Sequence, residues 1–192
     1  MPIPRLRHDS TALLVVDVQE RLQASIHLGS DVAFNCGALV QVAEVLDLPT
    51  IVTEQYVKGL GHTVESIRTK LPSTVHVIEK TRFSALVPET LAILDRHAIA
   101  SVLLCGVEAH VCVLQTALDL LATGRQVFLV TDAVSSGQRD QVQHAIARME
   151  GAGAVRSGTL GATYELLGDA ANPRFKACLS IVKQVRAVDH GR

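Results

Sequence analysis

Short runs of β-branched and apolar residues alternate with longer amphipathic stretches along almost the whole chain. The run at residues 11–17, TALLVVD, stays apolar up to its final carboxylate, which is typical of a strand buried on both faces of a parallel sheet. Repeated strand–helix units predict an α/β fold, because parallel strands are joined by crossover helices that cover the sheet. We expect about six strands, at residues 11–17, 49–54, 75–80, 101–105, 126–131 and 154–156.

The stretches between these strands predict helices and one long loop. Pro88 suits the first turn of a helix, Gly124 suits a helix end, and Ser30 or Asp31 suits a helix cap. Residues 55–74 predict a loop with a short helix near residues 64–70. No linker or repeat interrupts the pattern, so we expect a single domain over residues 1–192. The remaining helices are expected at residues 30–46, 88–97, 109–123, 138–151, 160–167 and 173–185.

Composition narrows the classes of function. The 192 residues are 48% hydrophobic and 19% charged, which indicates a globular chain with a full core. The net charge of -1 and the lack of a basic run predict no nucleic-acid partner. No apolar run resembles a membrane span or a secretory signal, so we expect no membrane association and a cytoplasmic location. Four cysteines without a Cys-x-x-Cys pair indicate reduced thiols.

Chemically useful residues stand at the ends of three predicted strands. Asp17 ends the first strand, Lys80 ends the third, and Cys112 lies one helical turn beyond Gly106, which follows the fourth. Ligand sites in open α/β sheets lie beyond the carboxyl ends of the strands, where the strand order reverses. If these strands are neighbours, an acid, an ammonium and a thiol meet in one crevice.

The types of these residues suit nucleophilic catalysis. A thiol in the first turn of a helix faces free N–H groups and a positive dipole end, which predicts a low pKa for Cys112. Lys80 would favour the thiolate, Asp17 would move a proton, and backbone N–H groups of residues 109–112 would hold an oxyanion. Each residue alone also fits a structural role, as a turn cap, a solvated strand end or a small core residue. We expect Cys105, in the middle of a strand, to be inert.

Further residues near the strand ends are candidates for the wall of a substrate pocket. The sequence shows no close histidine ligand pair, no phosphate-binding glycine motif and no G-x-S-x-G elbow. We therefore predict neither a metal nor a cofactor. The predicted pocket residues are Gln19, Glu54, Gln55, Tyr56, Phe83 and His110.

Four segments carry a resemblance to a known family. They are ALLVVDVQERL at residues 12–22, TEQYVKGLGHT at 53–63, EKTRFSAL at 79–86 and LLCGVEAHVCVLQTALDLLATGRQVFLVTDAVSS at 103–136. In these segments the chain resembles the isochorismatase-like cysteine hydrolases, and most closely the isochorismatase domain-containing proteins. The resemblance implies a Rossmann-like three-layer α/β/α sandwich around a central parallel sheet.

The resemblance also implies residue roles. Cys112 would be the nucleophile, Asp17 the base and Lys80 the third member of a triad. A non-proline cis peptide would join Val107 to Glu108 and direct the N–H groups of residues 109–112 into an oxyanion hole. The implied activity is hydrolysis of a small amide-like substrate through an acyl-enzyme, by a homo-oligomer.

The chain departs from two branches of that family. The histidines that bind metal in nicotinamidases are missing after the second strand, and isochorismatase itself lacks the cysteine that this chain has at position 112. We therefore expect neither zinc-dependent nicotinamide hydrolysis nor vinyl-ether hydrolysis. Two alternatives stay open: a catalytically silent binding module and a redox-sensing thiol. The near-neutral charge argues against a nuclease.

Overall fold

A single six-stranded sheet, parallel throughout, organises residues 3–187, the part of the chain that the computed structural model describes. The predicted α/β sandwich with a central parallel sheet of six strands is confirmed. Residues 1–2 and 188–192 of the expected domain lie outside the described residues. The strands are β1 (Thr11–Val16), β2 (Thr50–Gln55), β3 (His76–Lys80), β4 (Ser101–Gly106), β5 (Gln126–Val134) and β6 (Val155–Ser157).

Helices cover this sheet on both sides. The thiol-bearing segment Ala109–Val113 is a π-helical turn that runs directly into the sixth α-helix, where we had expected one regular helix. The α-helices of the described residues are α1 (Glu20–Gln23), α2 (Gly29–Val45), α3 (Val57–Leu60), α4 (Glu65–Arg68), α5 (Pro88–Arg96), α6 (Leu114–Ala122), α7 (Arg139–Gly151), α8 (Thr159–Leu167) and α9 (Phe175–Ala187). Among them, no helix is long and apolar enough to span a membrane.

Local structure differs from the predictions in the segments between strands. The helix α1 was not predicted, and residues 55–74 contain two four-residue helices, α3 and α4, where one was expected. The helix α2 begins at Gly29, after Leu28 with a left-handed backbone (φ 53°) and no side-chain cap. The prediction of a Ser30 or Asp31 cap is therefore wrong, because a backbone turn sets this helix start.

The strand order is β3-β2-β1-β4-β5-β6, so the order reverses between β1 and β4. Both of these strands are buried along their whole length and pair from Thr11–Ser101 to Val16–Gly106. Gly106 is required at this close approach, because it has φ 121° and a Cβ there would lie 2.1 Å from the Val16 carbonyl oxygen. The crevice predicted at a reversal point thus lies beyond Val16 and Gly106.

The condition that the three strands are neighbours holds for β1 and β4 but not for β3, which carries Lys80. The strand β2 lies between β1 and β3, so the ends of β1 and β3 are two strand spacings, or about 10 Å, apart. Lys80 can contribute to the crevice only because its long side chain crosses the end of β2.

Candidate active site

A buried ion pair joins the ends of β1 and β3. The Nζ atom of Lys80 lies 2.6 Å from Oδ2 of Asp17, and the two side chains are 0% and 1% exposed. Asp17 follows β1 directly and has a left-handed backbone (φ 53°), a conformation that aspartate tolerates better than most residues. This turn directs the carboxylate into the crevice, where it meets the lysine from two strands away.

Two side chains of the neighbouring strand β2 hydrogen-bond to this ion pair. Thr53 donates its hydroxyl proton to Oδ1 of Asp17 at 2.7 Å, and its carbonyl oxygen accepts the Asp17 N–H at 3.1 Å. Gln55 accepts a hydrogen bond from Lys80 at 2.8 Å through Oε1. Because Thr53 and Gln55 stand two residues apart, both point to the same face of β2.

The Lys80 ammonium has four acceptors around it. Besides Asp17 and Gln55, the carbonyl oxygens of Arg82 and Phe83 each lie 3.1 Å from Nζ. A buried ammonium with this many oxygen partners is well compensated for its lost hydration. Lys80 is therefore a fixed positive charge beside Asp17, and the solvated strand end considered from the sequence is excluded.

The Cys112 thiol lies beside this pair, and only 7% of the residue is exposed. Burial, followed by the negative charge of Asp17, raises the pKa of Cys112 to about 12, while Lys80 and the Glu108 backbone oppose the rise. The predicted low pKa is wrong for this state, because desolvation and a neighbouring carboxylate outweigh the helix N-terminus. A neutral thiol next to a carboxylate is the arrangement that proton transfer to a general base requires.

The turn before the cysteine contains a non-proline cis peptide bond between Val107 and Glu108. Two of the four N–H groups in residues 109–112 are already used: Ala109 donates to the Ser135 carbonyl oxygen at 2.9 Å, and Val111 donates to that of Glu108 at 3.1 Å. The oxyanion hole stays a prediction, and these two N–H groups are the members of it that already have backbone acceptors. Within residues 3–187, the N–H groups of His110 and Cys112 have no backbone acceptor outside the π-helical turn itself.

Two predicted pocket residues hold the loop after β2. Gln19 is fully buried, donates to the carbonyl oxygens of Gln55 and Gly61, and accepts the Gln55 N–H at 2.7 Å. Glu54 accepts the N–H of Thr63 at 2.6 Å and its hydroxyl proton at 2.7 Å. Their polar groups are occupied by the loop, and their place in the wall of a substrate pocket stays a prediction.

Burial disfavours the charged form of Glu54, yet its pKa is lowered. The N–H and hydroxyl groups of Thr63 and the ring of His62, 3.0 Å from Oε2, outweigh the burial. This carboxylate stands in the region where the nicotinamidase branch binds its metal. No group of three or more metal-ligating side chains occurs in the part of the chain that the structure describes.

The other predicted pocket residues remain near the crevice. Tyr56 and Phe83 are 57% and 54% exposed. Both contact Lys80 through their backbones: the Tyr56 N–H donates to the Lys80 carbonyl oxygen, and the Phe83 carbonyl oxygen accepts from the Lys80 ammonium. His110 is half-buried, with Nδ1 3.0 Å from the Ser136 hydroxyl. His110 thus faces the end of β5.

Thr53 and Ser136 were not singled out from the sequence. Thr53 stands opposite Val16 in the β1–β2 register, one residue before Asp17. Thr53 can be identified as a contact of Asp17 once β1 and β2 are known to be neighbours, but no local sequence pattern indicates it. Ser136 can be identified as a contact of His110 only when the end of β5 is known to pack against the π-helical turn.

Comparison with known proteins identifies the family of this chain. The family model described as "Isochorismatase domain" matches residues 11–159, which include Asp17, Lys80 and Cys112. The chain belongs to the isochorismatase family. It is 39% identical to the human isochorismatase domain-containing protein 2 over 94% of this chain and 86% of that protein, which confirms the branch that the resemblance indicated.

Two further relatives have more specific descriptions. The secreted isochorismatase effector Isc1 of Phytophthora sojae is 39% identical over 97% of this chain and 91% of the effector. A solved structure described as the MAR1 ribonuclease of Caenorhabditis elegans superposes with a TM-score of 0.91 and 38% identity, over 94% of this chain and 93% of that one. An Escherichia coli structure described as an octameric hydrolase of unknown specificity has a TM-score of 0.87 and 26% identity, over 97% and 95%.

Proposed function

We propose that this member of the isochorismatase family is a cysteine hydrolase that cleaves the C–N bond of a small amide-like substrate through an acyl-enzyme. The carrying observation is the buried Lys80–Asp17 pair, 2.6 Å between charged atoms, with the Cys112 thiol beside the carboxylate. A nucleophile, a base and a fixed positive charge are the parts that acyl transfer needs.

In the first half-reaction, Asp17 accepts the thiol proton as the Cys112 sulfur attacks the substrate carbonyl carbon. The negative charge then passes to the carbonyl oxygen, where the N–H groups of His110 and Cys112 can bind it. Protonated Asp17 returns the proton to the leaving nitrogen, the C–N bond breaks, and an amine or ammonia departs. A thioester to Cys112 remains.

In the second half-reaction, Asp17 takes a proton from water as the water oxygen attacks the thioester carbonyl. The C–S bond breaks, the acid product leaves, and the proton returns from Asp17 to the sulfur. Lys80 keeps its charge throughout, so it stabilises the carboxylate before each transfer and the thiolate after it. Asp17 and Cys112 thus share one proton, and the raised pKa of the thiol is compatible with reaction at neutral pH.

The experiment is a screen of small amides and carbamoyl compounds with the wild-type protein and Cys112→Ala. We expect release of ammonia or an amine with a burst of one equivalent per active chain, and mass spectrometry of a quenched sample should show the acyl group on Cys112. Turnover that survives in Cys112→Ala would contradict the proposal. An acyl group on Cys36, Cys105 or Cys178 would contradict it equally.

The two open alternatives predict other results in the same assay. A binding module would bind a small molecule without turnover, and a redox sensor would oxidise Cys112 reversibly. No observation in the crevice favours either one, because neither needs a buried Lys80–Asp17 pair. The ribonuclease name belongs to the nematode relative, and this chain has a net charge of -1. If the protein cleaved RNA and Cys112→Ala cleaved it equally well, the activity would not come from this crevice.

We also propose that the protein forms a homo-oligomer and works in the cytoplasm. The octameric bacterial relative and the exposed Tyr56 and Phe83 beside the crevice support assembly. Four unpaired cysteines support a reducing compartment, although the oomycete relative is described as secreted. Light scattering should give a mass several times that of one chain, and a monomer would contradict the first part.

A further inference from the structure

A second cavity, of about 640 Å³, lies at the carboxyl end of β5, between the first turns of α2 and α7. This volume falls in the range of sites for small organic molecules and exceeds what a single ion needs. Its lining includes neither Asp17, Lys80 nor Cys112. The cavity is therefore separate from the crevice that we assign to catalysis.

One buried acceptor in the wall of this cavity has no partner. Asn35 is 2% exposed, and its Nδ2 donates to the Asp132 carbonyl oxygen at 2.6 Å, which fixes the orientation of the amide. Its Oδ1 then accepts no hydrogen bond from any residue in 3–187. Leaving a buried acceptor unpaired is costly, so the wall of the cavity favours an occupant with an N–H or O–H group.

The charges around the cavity favour a cation. Asp31, Asp132 and Asp140 line it with three carboxylates, whereas Arg139 is the one arginine or lysine in the lining. The formal balance is -2 with neutral histidines, from three acidic groups and one basic group. Asp132 is oriented by Thr159, which donates its N–H at 2.9 Å and its hydroxyl proton at 3.0 Å.

Apolar side chains complete the lining and set the shape of the occupant. Leu28 is 56% exposed at the cavity, because the left-handed backbone before α2 holds it outward, and Val142 faces it from α7. An apolar body would cover Leu28 and Val142, and a cationic head would meet the carboxylates. We infer that this cavity is a binding site for a small amphipathic amine.

The geometry places this site behind the catalytic turn. Val134 and Ser135 line the cavity, and the Ser135 carbonyl oxygen accepts the N–H of Ala109. The next two residues bind the same turn, through Ser136 to His110 and through the Gly137 N–H to Glu108 at 3.0 Å. Residues 135–137 thus lie between the two sites, and none of Asp17, Lys80 and Cys112 lines the cavity.

The experiment is calorimetric titration of the full chain with phenethylamine, phenethyl alcohol and phenylacetate, which have the same aromatic body and different charge. We expect one amine per chain, with an affinity roughly tenfold above that of the alcohol because a charge-assisted hydrogen bond is the stronger one. Phenylacetate should bind more weakly still. Equal affinity for all three would overturn the inference.

Two variants test the place of binding. Asp140→Asn should weaken the amine about two- to fivefold, the effect of one exposed charge, and Val142→Trp should fill the cavity and remove saturable binding. The matched control is Asp9→Asn, since Asp9 precedes β1 and therefore lies at the amino ends of the strands, opposite the cavity. If Asp140→Asn and Asp9→Asn behave alike, the cavity is not the site.

Binding to Cys112→Ser separates this inference from the proposed function. We expect the amine to bind this variant as it binds wild type, whether or not the protein is a hydrolase. Loss of binding in Cys112→Ser would assign the amine to the catalytic crevice and overturn the inference. A change of molecular mass in Val142→Trp, without saturable amine binding to wild type, would identify the cavity as a contact between copies and overturn it as well.

Discussion

Two thiols seven residues apart, Cys105 in β4 and Cys112 in the turn that follows, show what makes a cysteine useful in this fold. Both are buried, and burial raises the pKa of both. Cys105 has only groups that raise its pKa further, Cys36 and Asp132, and its sulfur contacts the Leu14 carbonyl oxygen at 3.8 Å. The pKa of Cys112 is also raised by its neighbour Asp17, but Lys80 and the Glu108 backbone act in the opposite direction and favour the thiolate.

The difference lies in the neighbours, since low exposure is common to the two residues. The cysteine that we propose as the nucleophile is the one next to a carboxylate and a buried positive charge. Cys105 fills space between strands, and Cys112 stands where strand ends bring polar groups together.

The strongest test replaces each thiol by alanine. Cys112→Ala should abolish turnover and remove the iodoacetamide-reactive thiol, because the nucleophile itself is lost. Cys105→Ala should keep the activity per folded molecule and lose only stability, by about 1–2 kcal/mol, through a small cavity. The measurements are steady-state turnover, peptide mass mapping of the alkylated cysteine and urea unfolding. Loss of turnover in folded Cys105→Ala would remove the contrast.

The next largest effect is expected when the positive charge of Lys80 is removed. Lys80→Met should destabilise the protein by about 3–5 kcal/mol, because it leaves the Asp17 carboxylate buried without its partner. The double variant Asp17→Asn/Lys80→Met should recover part of this loss of unfolding free energy while remaining inactive. Urea unfolding measures both.

A surface pair provides the control for that variant. Arg82 lies 3.8 Å from Asp119, and both side chains are largely exposed. Arg82→Met should change the free energy of unfolding by less than about 1 kcal/mol. A similar cost for Arg82→Met and Lys80→Met would mean that burial of the Lys80–Asp17 pair has no special weight.

The pH dependence of alkylation tests the raised pKa directly. With the pKa of Cys112 at about 12, the thiolate fraction grows with pH throughout the neutral range. The iodoacetamide rate on Cys112 should therefore rise about tenfold per pH unit between roughly pH 7 and 9. Cys112→Ala provides the background. A rate that levels off below pH 8 would contradict the raised pKa and would mean that the helix N-terminus lowers the pKa of Cys112.

The same shift affects stability at alkaline pH. The thiol pKa is higher in the folded chain, about 12, than the ordinary value of 9.0. Its contribution to stability is thus complete below pH 9 and is lost as the pH rises from there toward 12. Alkaline unfolding of wild type should begin at lower pH than that of Cys112→Ala.

The smallest expected effect is at Thr53, which contacts Asp17 but neither thiol. Thr53→Val keeps the shape and removes the 2.7 Å hydrogen bond to Oδ1, so kcat should fall about tenfold with KM little changed. Thr53→Ser should restore activity, which a purely structural role in packing would not predict. Thr50→Val is the control, because the hydroxyl of Thr50, in the same strand as Thr53, donates to the Leu48 carbonyl oxygen just before that strand. Equal losses at both positions would deny Thr53 a positioning role.

The repeated pattern of buried strands and amphipathic helices was sufficient to predict the parallel sheet, because burial on both faces leaves a local signature in the chain. Asp17, Lys80 and Cys112 could be chosen for a related reason: each follows a strand or begins a helix, and parallel strands end at one edge. For Gln19 and Glu54 the sequence does not say whether a buried polar side chain faces a ligand or its own loop, and the structure pairs both with the loop.

The class of fold, the candidate triad and the family can be predicted from the amino-acid sequence, since these depend on local periodicity and on motifs within single segments. The tertiary structure decided the strand order, which puts β2 between Asp17 and the strand of Lys80 and brings Thr53 and Gln55 into the site. It also decided the protonation of Cys112. Strand order and desolvation depend on residues far apart in the chain, and no local pattern records those distances.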